Sequence, residues 1–328
     1  MLNYIKSLFA PKEFFPGIIG DGVTEASPVY DFDEMVGASA PATFGKPKGI
    51  KFPYNFQYLS SGCVGFSMAK MVCILYYMAT GQVVEFSGGW FYTRRINKPV
   101  EGMWFYNIAD LAQEGAVPEY LLPSNGLSEK EMNNLEINDF HFNIADAFSV
   151  PDAWVNLPLD FDTVAATYIK TGKPVMVWFK FGKGEFFRQL IPRIVNKLSR
   201  DEQPWQHSVV LVDAYTRDGV DYILIEDSAD PEQFYQKEIT RDFFNARCTL
   251  ARYPRKLKYA KGNKSVYDGT IISAQMALQS EGFFPLNVPF AENVGKVTRE
   301  SLRKFQSHYG LQITGQLDEA TKEVLRNL

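Results

Sequence analysis

An apolar run that begins at a cysteine constrains this chain more than any other stretch. Residues 57–75 read QYLSSGCVGFSMAKMVCIL, so a turn of small residues precedes Cys63 and a helical apolar segment follows it. The N-terminus of a helix carries partial positive charge and unsatisfied N–H groups, which both favour a sulfur anion. The pattern indicates a thiolate nucleophile at Cys63, with Gln57 as a hydrogen-bond donor to an oxyanion. The alternative is a buried structural cysteine ahead of a core helix.

A cysteine nucleophile needs a base, which need only be near in space. His207 opens an apolar run with strand character. Asp218 and Gly219 follow that run, and a second such run ends just before Asp227. Asp-Gly between two β-rich runs predicts a hairpin, which places His207 within about two residues of Asp227 under ladder pairing. A carboxylate there can fix the imidazole tautomer. The alternative is a histidine that caps a strand.

These residues resemble the papain-like cysteine peptidase family, whose order is Gln, Cys, His, Asn. Four positions match that order: Gln57, Cys63, His207 and Asp227. Further similar segments are Phe86-Ser87 with Phe91-Tyr92, residues 115–119 (GAVPE) and residues 171–177 (TGKPVMV). The resemblance covers about residues 46–254, with an apparent insertion near residues 183–202. It implies an α+β, two-lobed fold, in which a helical lobe carries the cysteine and a β-rich lobe carries the histidine.

The resemblance also implies a role for each of the four site residues. Cys63 is the expected nucleophile, His207 the base, Gln57 the oxyanion donor, and Asp227 occupies the third triad position. The chain departs from the family where a bridging cysteine is usual (Ser60), and where an aromatic residue usually follows the nucleophile (Val64). Ala229 stands where the family has a shielding tryptophan, and Asp227 replaces its asparagine. The aspartate is expected to raise the imidazole pKa and to stabilise a thiolate–imidazolium pair.

The C-terminal part of the chain has apolar residues at helical spacing, namely Ile272, Leu278, Phe283, Val297, Leu302, Phe305, Leu311, Leu317 and Leu325. The more specific signal is the motif GLxxTGxxDxxT, which begins at Gly310. Together these features resemble the small three-helix peptidoglycan-binding domain attached to many cell-wall hydrolases. Asp318 is predicted to cap the last helix, with Thr321 at its third position. Asn293 and Gly295 lie in a loop that differs from the family pattern. A helical bundle used for assembly is the alternative.

Length and composition suit two units. A chain of 328 residues allows about two domains, and 46% hydrophobic residues allow a dense core. We predict an arm (1–45), a peptidase domain (46–254), a basic linker (255–264) and a three-helix domain (265–328). Three widely spaced cysteines argue against structural disulfides and for folding in a reducing compartment. Cys73 and Cys248 are expected to be a core residue and a buried strand residue.

Several classes of function find no support in the sequence. The net charge of −4 gives no reason to invoke nucleic acid. We find no glycine-rich phosphate loop and no Cys/His cluster, and we expect neither a cofactor nor a metal. The N-terminal residues lack a long apolar core and a cleavage site, so no signal peptide is predicted. No run reaches the length of a membrane span. Helices are predicted near residues 106–114, 160–170 and 184–198, and a strand near 174–179.

The expected function is hydrolysis of peptide bonds by acyl-enzyme chemistry at the bacterial cell wall, with peptidoglycan and a peptide or protein as partners. A phage-encoded lytic or virion-associated enzyme would also act there without a signal peptide. The features Val64 and Ala229 favour one alternative, a structural or wall-anchoring protein that retains the fold as a scaffold. Another alternative is a protein-cleaving peptidase that uses its wall module only for location.

Overall fold

The computed structural model describes residues 43–327 with short gaps. The gaps are residues 50, 81–82, 147, 150–153, 183–184, 186–193, 197, 199, 201–204, 255–257, 260–266, 268, 282, 286–287 and 289. Nearly all of the predicted N-terminal arm, residues 1–45, lies outside the described residues.

The helices and strands form a mixed α+β architecture, as predicted. The helices are α1 (Cys63–Thr80), α2 (Gly88–Tyr92), α3 (Phe105–Gln113), α4 (Glu129–Asn133), α5 (Asp139–Ala145), α6 (Phe161–Thr171), α7 (Arg241–Arg247), α8 (Ile271–Ser280), α9 (Lys296–His308) and α10 (Glu319–Arg326). The strands are β1 (Phe148–Ser149), β2 (Trp154–Asn156), β3 (Val175–Phe181), β4 (Ile194–Val195), β5 (Trp205–Arg217), β6 (Val220–Glu226), β7 (Gln236–Thr240), β8 (Cys248–Pro254) and β9 (Lys258–Tyr259). A single 3₁₀ turn, Glu232–Phe234, lies between β6 and β7.

One large sheet organises the β-rich part of the chain. Its strand order is β2-β8-β3-β5-β6-β7-β4, and its pairs are antiparallel except for the parallel pair of β4 and β7. Side chains alternate between the two faces of a strand. On β3 and β5, one face packs with α1 through Met176, Trp178, Val210 and Val212. The opposite face packs with α6 and α7 through Val175, Val177, Phe179, Val209 and Leu211. The central strands are therefore apolar on both faces because both are covered.

Helix α1 is the centre of the helical lobe. Its residues from Cys63 to Tyr76 are buried, and aromatic residues of α2 pack in the same cluster. The helices approach so closely that a Cβ on Gly65 would lie 2.8 Å from the Gly88 carbonyl oxygen. A helix that is apolar on all sides is stable only inside a core. Burial on every side thus fixes the direction in which the N-terminal residue of α1 points.

The hairpin expected at Asp218 and Gly219 is confirmed. Both residues have positive φ, 52° and 76°, and Arg217 pairs with Val220 across the turn. This is the backbone that an Asp-Gly type I′ turn requires. A bulge between Leu211 and Asp213 shifts the register of β5 against β6. The end of β6 therefore lies beside the start of β5, which brings the two predicted site residues of these strands together.

Other predicted elements have mixed outcomes. The helices near residues 106–114 and 160–170 correspond to α3 and α6, and the strand near residues 174–179 is β3. The prediction of a helix near residues 184–198 is wrong at residues 194–195, which form strand β4. Val195 is fully buried there and pairs with Ile239 of β7, and β-branched side chains suit such a packed sheet position. Most of that segment lies outside the described residues.

Part of the predicted linker is paired with the rest of the chain. Lys258 and Tyr259 form strand β9, which is antiparallel to Phe148 and Ser149 of β1. The remainder of residues 255–264 lies outside the described residues. No helix in the part of the chain that the structure describes is both long and apolar enough to cross a membrane.

The last three helices share a small hydrophobic core, which includes Leu278, Leu302, Phe305 and Leu325. The predicted cap is confirmed, because Asp318 accepts a hydrogen bond of 2.9 Å from the N–H of Thr321. A buried amide stabilises the turn before this helix. Gln306 accepts from the Gly315 N–H at 2.8 Å, and it donates to the hydroxyls of Thr314 and Thr321 at 2.9 Å. This side chain joins α9 to the turn and to α10.

Replacement of Gln306 by leucine should therefore destabilise α9 and α10. The change leaves the buried N–H of Gly315 without its acceptor, which costs about 1–3 kcal/mol. The measurement is amide hydrogen exchange in residues 296–326 of the full chain, where protection should fall. Gln312→Leu is the control, because Gln312 is exposed. Equal protection in the two variants would show that this hydrogen-bond cluster does not stabilise the helices.

Candidate active site

Cys63 is the first residue of α1, as the sequence predicted. Its side chain has no exposed surface, and it belongs to the core between α1 and the sheet. The first N–H groups of a helix have no acceptor within the helix and carry partial positive charge. The sulfur therefore lies where a negative charge is stabilised by the helix end. Its complete burial means that reagents and substrates must be admitted to reach it.

His207 and Asp227 form a direct pair. His207 is the third residue of β5, and Asp227 follows the last residue of β6. The imidazole Nε2 lies 2.6 Å from Asp227 Oδ1, and both side chains are completely buried. The N–H of Ala229 also donates to Oδ1, at 2.9 Å. The carboxylate thus fixes which imidazole nitrogen carries a proton toward it, and leaves Nδ1 as the nitrogen for another partner.

Charge makes the imidazole strongly basic. Burial by itself lowers the pKa of His207, but the Asp227 carboxylate and the hydrogen bonds with Asp227 and Cys63 raise it to about 10. An imidazole that holds its proton at neutral pH presents a positive charge to a neighbouring thiol. The geometry therefore suits a thiolate–imidazolium pair.

The carboxylate of Asp227 has a second partner that the sequence analysis missed. Burial would raise the pKa of Asp227, but the ammonium group of Lys237 and the imidazole hold it well below its usual range. Lys237 lies in β7, is 1% exposed and forms an ion pair with Asp227 Oδ2. It also lies 2.7 Å from Asp230 Oδ2. A lysine in a mixed strand sequence such as QKEIT gives no signal that it is buried.

Gln57 lies beside Ser228, the neighbour of Asp227. Its N–H donates to the Ser228 carbonyl at 2.9 Å, and its side-chain Oε1 accepts from Ser228 Oγ at 2.8 Å. Its Nε2 donates to the Ser60 carbonyl at 3.0 Å. A side-chain amide has two N–H donors, so one bond to Ser60 leaves a second donor. The structure thus places Gln57 next to the His207–Asp227 pair through Ser228, and its role toward an oxyanion remains a prediction.

The loop between Gln57 and Cys63 is held by a carboxylate that sequence reasoning also missed. The N–H of Ser61 donates to Glu129 Oε2 at 2.9 Å. Glu129 further accepts from Tyr92 Oη and from Arg95 Nη2, each at 2.9 Å. This group is called the Glu129 anchor below, and it comprises Ser61, Tyr92, Arg95 and Glu129. It ties the loop to α2 and α4 at a point close to Ser60, where the sequence has no bridging cysteine.

The other two cysteines have different surroundings. Cys73 is buried in α1 as expected, and burial raises the pKa of its thiol to about 12. Cys248 begins β8 and is half-buried rather than fully buried, because the end of a strand leaves one side open. Burial also raises the pKa of its thiol. Neither is expected to ionise at neutral pH. Within the described residues, no cluster of His, Cys, Asp and Glu side chains could hold a metal ion.

Comparison with solved structures identifies the fold as that of the papain-like cysteine proteases. The chain is similar to xylellain, a cysteine protease from Xylella fastidiosa, with a TM-score of 0.61 and 12% identity over 74% of this chain and 96% of that one. It is also similar to the proform of Amb a 11, a cysteine protease and major ragweed pollen allergen. That TM-score is 0.52, with 17% identity over 77% of this chain and 67% of that one.

The C-terminal residues match a family in sequence. Residues 268–325 match the family described as "Putative peptidoglycan binding domain". This match covers the helices α8, α9 and α10. No protein with a curated description matches the chain in sequence. The chain thus combines a papain-like fold with a peptidoglycan-binding-type domain.

Iodoacetamide at mildly acidic pH should label Cys63 well ahead of Cys73 and Cys248. The reason is that the imidazolium of His207 and the helix end favour the Cys63 anion, whereas burial keeps the other thiols protonated. Mass spectrometry of the labelled peptides measures the order. His207→Ala is the control, and it should remove the preference for Cys63. Equal labelling of the three cysteines, or none at Cys63, contradicts a reactive thiolate.

The Glu129 anchor generates a separate expectation. Glu129→Ala should leave Cys63 in place but loosen the loop that carries Gln57, because the Ser61 N–H loses its acceptor. Turnover should fall by about ten-fold, which is part of the roughly 10²–10³-fold that complete loss of one oxyanion donor costs. Steady-state kinetics on a peptide substrate provide the measurement. Glu131→Ala is the matched control, since Glu131 lies on the same helix and its carboxylate bonds only Ser128 among the side-chain hydrogen bonds described. Equal kinetics in the two variants would contradict the role of the anchor.

Proposed function

We propose that this protein is a cysteine peptidase that hydrolyses peptide bonds, with Cys63 as its nucleophile. One observation carries the proposal: a buried imidazole lies between a carboxylate and a thiol at the start of a helix. In such an arrangement a base takes the proton of the nucleophilic thiol, and a third group orients the base. The papain-like fold supports it, because the cysteine and the histidine come from the helical and β-rich lobes.

In the proposed mechanism the Cys63 thiolate attacks the carbonyl carbon of the scissile bond. The oxyanion is stabilised by the Gln57 amide and the Cys63 N–H. The His207 imidazolium gives its proton to the leaving amine, and a thioester to Cys63 remains. Neutral His207 then takes a proton from water, and the resulting hydroxide attacks the thioester and releases the acid. Asp227 keeps the ring oriented through both steps.

We further propose that the substrate lies in the bacterial cell wall. The support is the sequence match of residues 268–325 to a peptidoglycan-binding family. A binding module on the same chain raises the local concentration of the wall near Cys63 without taking part in the chemistry. In this proposal residues 46–254 are the peptidase domain, residues 265–328 the wall-binding domain, and 255–264 join them. A phage-encoded or virion-associated role would place the enzyme at the same substrate.

A retained scaffold without catalysis is the rival, and the complete burial of Cys63 is the observation in its favour. A protein-cleaving peptidase that is only localised by its module is the second rival. Both are tested by incubating purified peptidoglycan, and separately casein, with the wild type and with Cys63→Ala. Mass spectrometry of the released fragments should show new peptide ends in peptidoglycan with the wild type alone. Release from casein alone favours the second rival, and release from neither favours the scaffold.

Asp227→Ala should lower turnover by about 10²–10³-fold, which is less than the loss in Cys63→Ala or His207→Ala. The variant loses the orientation of the imidazole but keeps the nucleophile and the base. Turnover of one peptide substrate by the three variants measures the order, and circular dichroism confirms that each is folded. Wild-type turnover in Asp227→Ala would remove Asp227 from the triad.

Binding to the wall should depend on the C-terminal residues and not on Cys63. The Cys63→Ala chain should co-sediment with purified sacculi, because the binding domain is intact. A chain that ends at residue 264 should remain in the supernatant and should still cleave small peptides. Gel densitometry of the pellet and the supernatant measures the bound fraction of each chain. If the full chain also remains in the supernatant, the three helices serve assembly instead.

A further inference from the structure

A buried lysine completes the charge balance of the site. Lys237 lies in β7. There it pairs with Ile225 of β6, and the preceding residue, Gln236, pairs with Glu226. This register places the Lys237 side chain beside Asp227, which directly follows β6. The ammonium group is almost completely buried and contacts the carboxylates of Asp227 and Asp230. Burial of an ammonium group costs free energy unless the group is paired with an anion. The presence of Lys237 at this position therefore calls for a role in the site.

The two oxygens of the Asp227 carboxylate have separate partners. Oδ1 accepts from the imidazole of His207 and from the Ala229 N–H, while Oδ2 faces Lys237. The carboxylate is therefore held from both sides, and its plane cannot rotate away from the imidazole without breaking an ion pair. This is a stronger restraint than one hydrogen bond to the histidine.

The charges of the four almost completely buried groups match when the site is in its reactive state, whereas the carboxylate of Asp230 is partly exposed. The Cys63 thiolate and the Asp227 carboxylate are two anions, and the His207 imidazolium and the Lys237 ammonium are two cations. The resemblance noted from the sequence places a neutral asparagine where Asp227 stands. An aspartate with a buried lysine has the same net charge as that asparagine.

We propose that Lys237 is a positioning residue of the peptidase site, which neutralises Asp227 so that the buried site can hold a thiolate beside an imidazolium. The proposal rests on the function proposed above. Lys237 does not touch the substrate or the reacting atoms, and it acts through Asp227 alone. Asp230 serves as its outer partner, and the carbonyl of Asp230 accepts a hydrogen bond of 2.5 Å from Tyr54 Oη.

Other charged groups around this cluster are paired among themselves. The nearest is the buried pair of Lys70 in α1 and Glu226 in β6, at 2.6 Å, which adds no net charge. Burial raises the pKa of Tyr235 to about 12, so its phenol is neutral in the working range. Glu238, next to Lys237 along β7, pairs with Arg217 at 2.5 Å. Lys237 itself contacts the carboxylates of Asp227 and Asp230, and Asp227 in turn contacts His207.

Removal of the buried cation should shift the proton affinity of the site in one direction. Without the Lys237 charge, the thiolate, the imidazolium and Asp227 carry one unbalanced negative charge in a buried site. The proton affinity of every group in the cluster rises, whichever of them titrates. Formation of the Cys63 thiolate then requires a higher pH. A charge within about 4–6 Å shifts such a titration by about one to three pH units.

The test is the pH dependence of Cys63 alkylation by iodoacetamide in the full chain, together with the pH dependence of kcat/KM on a peptide. In Lys237→Met, the midpoint of alkylation and the acid limb of kcat/KM should both move at least about one unit to higher pH. At pH 6 kcat should fall by about ten-fold while KM changes little. Lys237→Arg keeps the cation and should keep the wild-type midpoint. Lys180→Met, at an exposed strand position, is the control for loss of a lysine.

A double variant separates charge matching from structural support. Asp227→Asn with Lys237→Met removes one anion and one cation, and it should return the alkylation midpoint to within about half a unit of the wild type. If Lys237→Met does not fold, the double variant and Lys237→Arg still test the proposal. If Lys237 served only as structural support, removal of the Asp227 charge would not compensate for the loss of the lysine. An unshifted midpoint in folded Lys237→Met, or a double variant as shifted as the single one, overturns the proposal.

The failure of the proposed function gives a different result. If the wild type releases no peptide from any substrate, the peptidase assignment fails, and the alkylation midpoints still report whether Lys237 controls the ionisation of Cys63. If the wild type is active and the midpoint does not move, the peptidase assignment stands and the role of Lys237 falls.

Discussion

The packing of α1 between the helical lobe and the large sheet is the constraint on which the site depends. This helix is buried on all sides, and it shares a core with residues of β3 and β5. It cannot rotate without exposing apolar surface, at about 25 cal/mol for each Å² returned to water. Its first residue, Cys63, is therefore directed toward the sheet by the hydrophobic effect and not by any polar contact. The polar chemistry is added to a position that packing has already determined.

The same packing explains why the charges of the site are so closely matched. Cys63, His207, Asp227 and Lys237 are all almost completely buried, so bulk solvent screens their charges poorly. In such surroundings an unpaired ion is unstable and changes its protonation state. Each charged group must therefore have an opposite partner within the site. The aspartate in the triad and the lysine of β7 follow from one another, because either alone would leave a buried charge.

Much of the site was readable from local patterns. A cysteine at the start of an apolar helix, a histidine at the start of a strand and an Asp-Gly turn between two strands are short-range signals, and each corresponds to an element in the structure. Because the two strands of the hairpin are antiparallel, residues equally far from the turn lie opposite each other, which places His207 near Asp227. The sequence analysis missed Glu129, Arg95 and Lys237, whose contacts span from 10 to 68 residues of the chain. Polar residues on or next to short helices, or on a strand such as β7, carry no sign in the sequence of which residues they will contact.

The sequence by itself determined the type of fold, the hairpin that joins His207 to Asp227 and the capped helix that begins after Asp318, because hydrophobic period and turn chemistry act between near neighbours. Tertiary structure alone decided that Ile194 and Val195 form a strand, since their partner strand is β7. It also decided that Lys237 is buried against Asp227, and that Glu129 rather than a disulfide holds the loop before Cys63. Those outcomes depend on how the lobes and strands pack against each other. This packing is determined by the apolar area that the whole core buries and not by any local pattern.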